Sequence, residues 1–309
     1  MTGAVIPDNA DAIVMKEMVN IKNQNITFNK NIKKNQNIRF VGEDIKKNKI
    51  VFHKNSQLTY SKVAILASLG IKKVKVLKKP IISFFSTGDE LISIDKKLKK
   101  GQIYDSNRYL LRGLLEKFPV IIKDAGVVAD NEKKIINKFR KLSKESNLII
   151  TTGGVSVGDA DYIRDALLKI GSINFWKISI KPGRPLAFGT IGSSYFFGLP
   201  GNPVSTSVTF DLFVRPAIYK ILSLEKRKDI TIKAILVGAL RKKRGRVEYK
   251  RGILFKKEDK YYVKASGLQG SNILSSLAIA NCYIKLGMDI ENIKESEIVT
   301  TIPFEVSHE

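Results

Sequence analysis

Cysteine is almost absent. The single residue Cys282 cannot close an internal disulfide, and a reducing cytosol suits such a chain, so a cytoplasmic location is expected. No apolar run approaches the ~18 residues that a membrane helix needs. The opening residues, Met1-Thr-Gly-Ala-Val-Ile-Pro7, lack a basic segment followed by an apolar one, so no signal peptide is expected. Acidic residues are scarce, 29 against 54 basic, which leaves a formal net charge of +25. Arginine is scarce within the basic set, 12 residues against 42 lysines. Arginine is the usual reader of base edges and bidentate binder of phosphate. Its shortage argues against specific nucleic-acid binding. The scattered lysine, with abundant Ile and Asn, reads as the residue bias of an AT-rich genome. The excess charge still draws anions to the surface in a salt-dependent way. What remains is 309 residues with 43% hydrophobic content, enough for two or more domains with cores of their own.

The most informative stretch is Leu148 to Tyr162, Leu-Ile-Ile-Thr-Thr-Gly-Gly-Val-Ser-Val-Gly-Asp-Ala-Asp-Tyr. It opens as a fully buried strand would, with a short β-branched run. It turns through Gly153, Gly154 and Gly158 with Ser156 among them, and closes on Asp159 and Asp161 at the start of a helical pattern. A strand, a glycine turn and a helix N-terminus make an anion cradle, because glycine lets backbone N–H groups approach the ligand. Carboxylates beside a phosphate make sense if a divalent cation sits between them. A tight βα turn with an Asp N-cap is the plainer alternative.

Residues 1–41 read as a small β piece without a complete core, with strand-like Ile26–Phe28 and Ile38–Phe40. The pattern starts abruptly, which leads us to expect a further part upstream. In residues 42–79 a helix is expected from Tyr60 to Leu69, with Gly70 as its C′ residue. Val74, Val76 and Leu77 alternate with lysines as a half-exposed strand does. Residues 80–228 alternate strands (Ile81–Phe85, Val120–Val128, Leu148 onward, Ile173–Ile180, Pro185–Gly189, Tyr195–Phe197) with helices after Asn107, from Glu132 to Ser143, and from Val204 to Ile221. That alternation predicts an α/β fold with a doubly wound, mainly parallel sheet, whose ligands lie outside the carboxyl ends of the strands. Residues 229–309 show five strand-like segments and weak helical periodicity, as a small β domain does. There the cluster Arg241-Lys-Lys-Arg244 reads as a solvated edge, with an anion site as the sharper alternative.

If the three strands are parallel, Asp89 and Glu90, Asp130, and Asp159 with Asp161 converge on one rim. Lys177, Lys181 and Arg184 follow on the next segment. Carboxylates for a hard cation beside lysines for anionic oxygens describe a phosphoanhydride or oxyanion site.

Eight motifs then occur in order: Met1-Thr-Gly-Ala with Pro7, Gly42-Glu-Asp-Ile45, Ser86-Thr-Gly-Asp-Glu-Leu91, Gly101-Gln-Ile-Tyr-Asp-Ser-Asn-Arg108, Gly153 to Tyr162, Lys181-Pro-Gly-Arg-Pro185, Gly198-Leu-Pro-Gly-Asn-Pro203 and Gly270-Ser271. With them the chain resembles the molybdopterin molybdenumtransferase family, the group of bacterial MoeA and the gephyrin E domain, over essentially its whole length. The resemblance implies an enzyme of molybdenum cofactor biosynthesis that takes adenylylated molybdopterin and molybdate and releases AMP, with Mg²⁺ as the cation. Glu90, Asp130, Asp161, Lys177 and Lys181 match the family's active-site residues. Asp89, Glu90 and Asp161 are implied as metal ligands. Thr2, Asp44, Thr87, Gly88, Asp89, Gly153, Gly154, Ser156, Pro200 and Pro203 are implied at the substrate site, with Pro182, Arg251 and Ser271 as further molybdate and pterin contacts.

The same resemblance divides the chain into 1–41, a remnant of an N-terminal β domain; 42–79, a remnant of an elongated linker domain; 80–228, the α/β molybdopterin-binding domain; and 229–309, a barrel-like C-terminal domain. Family members carry about a hundred residues upstream of the Thr-Gly-Ala motif, a domain's worth. Met1 therefore reads as an internal methionine of the family pattern. The resemblance also implies a homodimer. A molybdopterin adenylyltransferase and molybdoenzyme apo-proteins are the implied protein partners, and neither specific nucleic acid nor membrane is expected. Two other readings stand beside this one: a non-catalytic relic or scaffold of the same family, and a molybdopterin adenylyltransferase sharing only the central sheet.

Overall fold

The computed structural model describes residues 2–28, 31–155, 162–224 and 230–304, apart from the side chains of Phe175 and Trp176. Contacts divide the chain into two compact units, Met1–Leu58 and Thr59–Glu309.

The first unit is built of turns. Among its described residues one ladder forms, joining β1 (Asn20–Lys22) and β2 (Asn25–Thr27), antiparallel, through Asn23 and Gln24. Both turn residues have positive φ, 48° and 70°, which gives the tight reversal its twist. Asn9, Asn35, Asn37, Asn48 and Asn55 take the same left-handed conformation, which asparagine tolerates better than other non-glycine residues. No described residue of this unit is buried. The expected strand at Ile38–Phe40 does not form, since the chain there runs into turns.

The second unit begins with α1 (Tyr60–Ser68), stopped by Gly70 at φ 71°. Gly70 N–H donates to Ala67 O and Ile71 N–H to Leu66 O, the paired bonds of a Schellman cap. The expected strand through Val74 and Leu77 is absent. That segment lies exposed, and no neighbouring strand offers it a ladder.

The α/β layer follows: β3 (Ile81–Thr87), a short pair β4 (Leu91–Ile92) and β5 (Ile103–Tyr104), α2 (Ser106–Leu115), β6 (Ile121–Val128), α3 (Glu132–Ser143), β7 (Leu148–Thr152), α4 (Tyr162–Ile170) and β8 (Ser172–Lys177). After β9 (Ile180–Lys181) come β10 (Pro185–Ile191), β11 (Ser194–Leu199), α5 (Pro203–Thr209) and α6 (Arg215–Ile221). The main sheet has the order β6-β3-β7-β11-β10-β8. Its first four strands are parallel. β10 is antiparallel to both β11 and β8, so β8 runs with the parallel four.

Helices cover both faces. Leu111, Leu115, Phe210, Val214 and Ile218 pack on Ile82, Phe84, Leu148, Ile150 and Phe197. On the other face Ile135, Phe139, Ile163 and Leu167 pack on Phe85, Ile149 and Phe196. Phe139 meets Phe85 and Phe196 edge-on, each at 5.3 Å between centroids, a favourable aromatic geometry. The helix expected from Val204 to Ile221 is continuous but widens to a π-turn at Phe210–Val214. Pro216 explains it: proline lacks the N–H for the bond four residues back, and its ring crowds that carbonyl.

The expected strand Ile173–Ile180 is split. β8 ends at Lys177, and β9 leaves for a second sheet, β9-β13-β15-β16-β12-β14. This sheet contains β12 (Ile232–Val237), β13 (Val247–Lys257), β14 (Lys260–Ala265), β15 (Cys282–Leu286) and β16 (Ile298–Pro303). β14 also pairs with β13, so these five strands close into a barrel around Leu236, Val263, Ile284 and Val299. A short helix, α7 (Leu274–Ala278), interrupts the Gly/Ser stretch between β14 and β15. Val204 and Val208 of α5 pack with Ile180, Tyr249, Tyr283 and Ile302, which joins barrel to α/β layer.

Candidate active site

The strand directions decide the site. β3, β6, β7, β8 and β11 all end on the same edge, so their following turns share one rim. Thr87 and Gly88 close β3, and Asp89 and Glu90 stand exposed beyond them. Asp130 follows β6, half-buried. Its backbone N–H donates to Asp89 Oδ1 at 3.1 Å. The Asp130 carboxyl is held above the usual carboxylate range, first by its burial and then by the charges of Asp89 and Glu90. In a chain with 54 basic residues, no lysine or arginine among the described residues forms an ion pair with any of these three acids. The acids are therefore a pool of hard oxygen donors without a counter-ion, which fits a divalent cation. Among the described residues no three such side chains are already gathered as a metal cage. Asp161 and Ser156 lie outside the described residues.

The glycine turn is held by close packing. Gly153 has φ 83°, and a Cβ there would stand 2.4 Å from Thr87 O. Gly154 has φ 64°, and a Cβ would meet both Thr87 Oγ1 and Ile163 Cγ1 at 2.7 Å. Only glycine lets the three segments approach so closely. Gly153 N–H donates to Leu199 O at 3.2 Å, which ties this turn to the one after β11. Thr87 Oγ1 is buried without a hydrogen-bond partner, so the floor of the cradle has unused polar capacity.

The turn after β11 carries Pro200 and Pro203. Thr206 Oγ1 donates to Pro200 O at 2.6 Å, and Asn107 Nδ2 donates to Gly201 O at 2.7 Å. Val204 N–H donates to Ser271 O at 3.2 Å, which brings Gly270–Ser271 of the barrel to the start of α5. Arg251 lies beneath that loop, only 1% exposed. Its guanidinium donates to Leu268 O, Gln269 O, Gly270 O and Ser276 Oγ. Arg251 thus shapes the loop that carries Ser271. Burial lowers its pKa.

Lys177 ends β8 on the rim, paired across the sheet with Pro185 and exposed. Lys181 lies on β9, in the barrel's sheet, and precedes Pro182. Its Nζ lies 3.1 Å from Glu248 Oε1. Thr2 and Asp44 belong to the other unit, where both are exposed turn residues. Sequence reasoning missed Asn107 and Glu248. Asn107 lies inside the Asp-Ser-Asn-Arg motif, and Glu248 is an acid three residues before Arg251 in an acid-poor strand, so both left a faint signal.

Residues 1–70 match the MoeA N-terminal region (domain I and II), residues 83–220 a probable molybdopterin binding domain, and residues 233–304 the MoeA C-terminal region (domain IV). The chain is 43% identical to a molybdopterin molybdenumtransferase from Haemophilus influenzae, over 98% of this chain and 76% of the relative. It is 34% identical to one from Staphylococcus epidermidis, over 98% and 72%. A crystal structure of the molybdopterin biosynthesis protein moeA from Pyrococcus horikoshii superposes with a TM-score of 0.78 at 32% identity, covering 98% of this chain and 74% of that one.

Proposed function

The chain belongs to the molybdopterin molybdenumtransferase family, and on that premise we propose that it inserts molybdate into adenylylated molybdopterin with release of AMP. Family membership makes it an enzyme of molybdenum cofactor biosynthesis, with molybdate and a molybdopterin as substrates. The observation that carries the finer reading is the rim. Asp89, Glu90 and Asp130, which have no basic ion-pair partner among the described residues, follow strands on the same edge as the glycine cradle and Lys177.

In this reading Asp89, Glu90 and Asp161 hold Mg²⁺, which supplies neutralising charge for the phosphoanhydride. The N–H of Gly154 binds an anionic oxygen, since that of Gly153 is spent on Leu199 O. Lys177 and Lys181 hold molybdate or the charge that develops as the anhydride cleaves. Asp130, whose carboxyl keeps its proton to a higher pH than usual, orients a ligand or water. Thr87 Oγ1 gives the floor one more polar contact, and Pro182, Pro200, Pro203 and Ser271 line the walls. Arg251 acts through the Ser271 loop. The enzyme works as a cytoplasmic homodimer, receiving its substrate from a molybdopterin adenylyltransferase and passing its product to molybdoenzyme apo-proteins. An adenylyltransferase reading leaves the barrel without a role.

The test is AMP release by the purified chain from adenylylated molybdopterin and Mg²⁺, with and without molybdate. Release that needs molybdate and is lost in Glu90→Gln supports the assignment. Release independent of molybdate, or unaffected by Glu90→Gln, refutes it.

A further inference from the structure

Lys181 lies on a two-residue strand that has left the main sheet for the barrel, pairing in parallel with β13. The register sets Lys181 beside Glu248. Glu248 is a buried carboxylate, 5% exposed, held by two ammonium groups. Lys181 Nζ stands 3.1 Å from Oε1, and Lys250 Nζ stands 3.3 Å from Oε2. Residues two apart on a strand share a face, so Glu248 and Lys250 form a fixed pair. The two lysines differ in freedom. The Lys250 side chain is 12% exposed and the Lys181 side chain 53%. A carboxylate this buried needs at least one counter-ion, because an unpaired buried charge is costly. It does not need two.

We propose that Glu248 is a positioning residue that parks Lys181, and that Lys250 is the standing counter-ion that lets Lys181 leave for an anionic oxygen of the substrate. The proposal rests on the reading that Lys181 meets anionic oxygens. When Lys181 swings away, Lys250 keeps Glu248 neutralised, so the move exposes no bare charge. Without Lys250, departure of Lys181 strands the carboxylate, and anion binding weakens. Without Glu248, the two lysines repel and Lys181 loses its resting place.

The experiment is a variant series read in two ways: equilibrium binding of molybdate and of AMP, which needs no turnover, and steady-state AMP release. Lys250→Met is expected to weaken binding of the anion that Lys181 meets by about tenfold, the scale of coupling between neighbouring charges, and Lys250→Arg to restore it. The molybdate and AMP arms show which anion that is. Glu248→Gln is expected to lower kcat/KM by about tenfold with Lys181 present and to cause no further loss in a Lys181→Ala background. A merely structural role gives additive losses instead.

Additive losses, or unchanged binding of both anions in Lys250→Met, overturn the proposal. If Lys181→Ala itself changes neither binding nor release, the role of Lys181 fails first and this proposal with it. If Lys181→Ala is impaired but the losses are additive, only this proposal fails. Should Glu248→Gln not fold, the double variant Glu248→Gln/Lys250→Met, which removes both members of the fixed pair, replaces it in the same comparison.

Discussion

Replacing Gly153 by alanine separates two effects that glycine usually combines. The residue has φ 83°, where an L side chain costs about 1–2 kcal/mol. Its new Cβ would also lie 2.4 Å from Thr87 O, about 1 Å inside ordinary contact, and that atom belongs to the backbone. Overpacking of this kind costs a further ~1–3 kcal/mol. Gly101 has the same φ of 83°, and a Cβ added there would meet nothing within 4 Å, so Gly101→Ala isolates the conformational cost. Urea unfolding should show a loss of about 1–2 kcal/mol for Gly101→Ala and about 2–5 kcal/mol for Gly153→Ala. Activity should divide them more sharply. Relief of the clash moves the cradle away from Thr87 by about 1 Å, a displacement worth roughly a hundredfold in rate. AMP release by Gly101→Ala should stay near wild type. Equal stability losses and equal activities in the two variants would refute the argument that close packing, rather than backbone conformation alone, demands glycine at 153.

Three other expectations follow from the same structure. Asp130 is desolvated by burial and crowded by Asp89 and Glu90, so the folded state binds its proton more tightly than the unfolded chain does. The stability it contributes therefore falls as pH rises from the ordinary value of 3.8 through the raised folded value. Asp130→Asn should be more stable than wild type at neutral pH, with the advantage fading towards pH 3.8 in a pH series of urea titrations, and it should release less AMP. Arg251→Lys should not rescue Arg251→Met, because an ammonium cannot span three carbonyls and Ser276 Oγ. Both should lose on the order of 3 kcal/mol in unfolding assays and be cut sooner by protease in the 267–272 loop. Cys282, inside the barrel, has its thiol pushed up to about 12 by burial, so thiol reagents at pH 8 should label it only after unfolding. Rapid labelling of the native protein would contradict that barrel core.

Much of the α/β layer was legible because its signals are local. The strand and helix from Val120 to Ser143 follow from apolar runs and periodicity, and Asn131 caps α3 through the N–H of Lys134. Gly70 ends α1 as the helix-stop rule expects. The same local reading failed where a partner strand decides. Val74 to Leu77 alternates like a strand but finds no ladder, while Ile180–Lys181, only two residues long, finds one in β13. The π-turn before Pro216 was not expected, since the apolar pattern from Val204 to Ile221 reads as one uninterrupted helix.

The residues at the rim are a matter of composition and order. Asp89, Glu90, Asp130, the glycine turn and the lysines were all visible as types placed after strands, and the ordered motifs carried the family. Their convergence was conditional on strand direction, which no single segment encodes. Only the assembled sheet sets β8 parallel to β3 while β10 runs against both. The partners of each group were likewise a tertiary matter. The sequence by itself determined which side chains could bind anions or a hard cation. The fold decided that Asp89, Glu90 and Asp130 have no basic ion-pair partner among the described residues, that Arg251 is spent on a loop, and that Lys181 shares Glu248 with Lys250. The reason is physical: side-chain chemistry is a property of one residue, whereas burial, charge pairing and close backbone approach arise between segments distant in the chain.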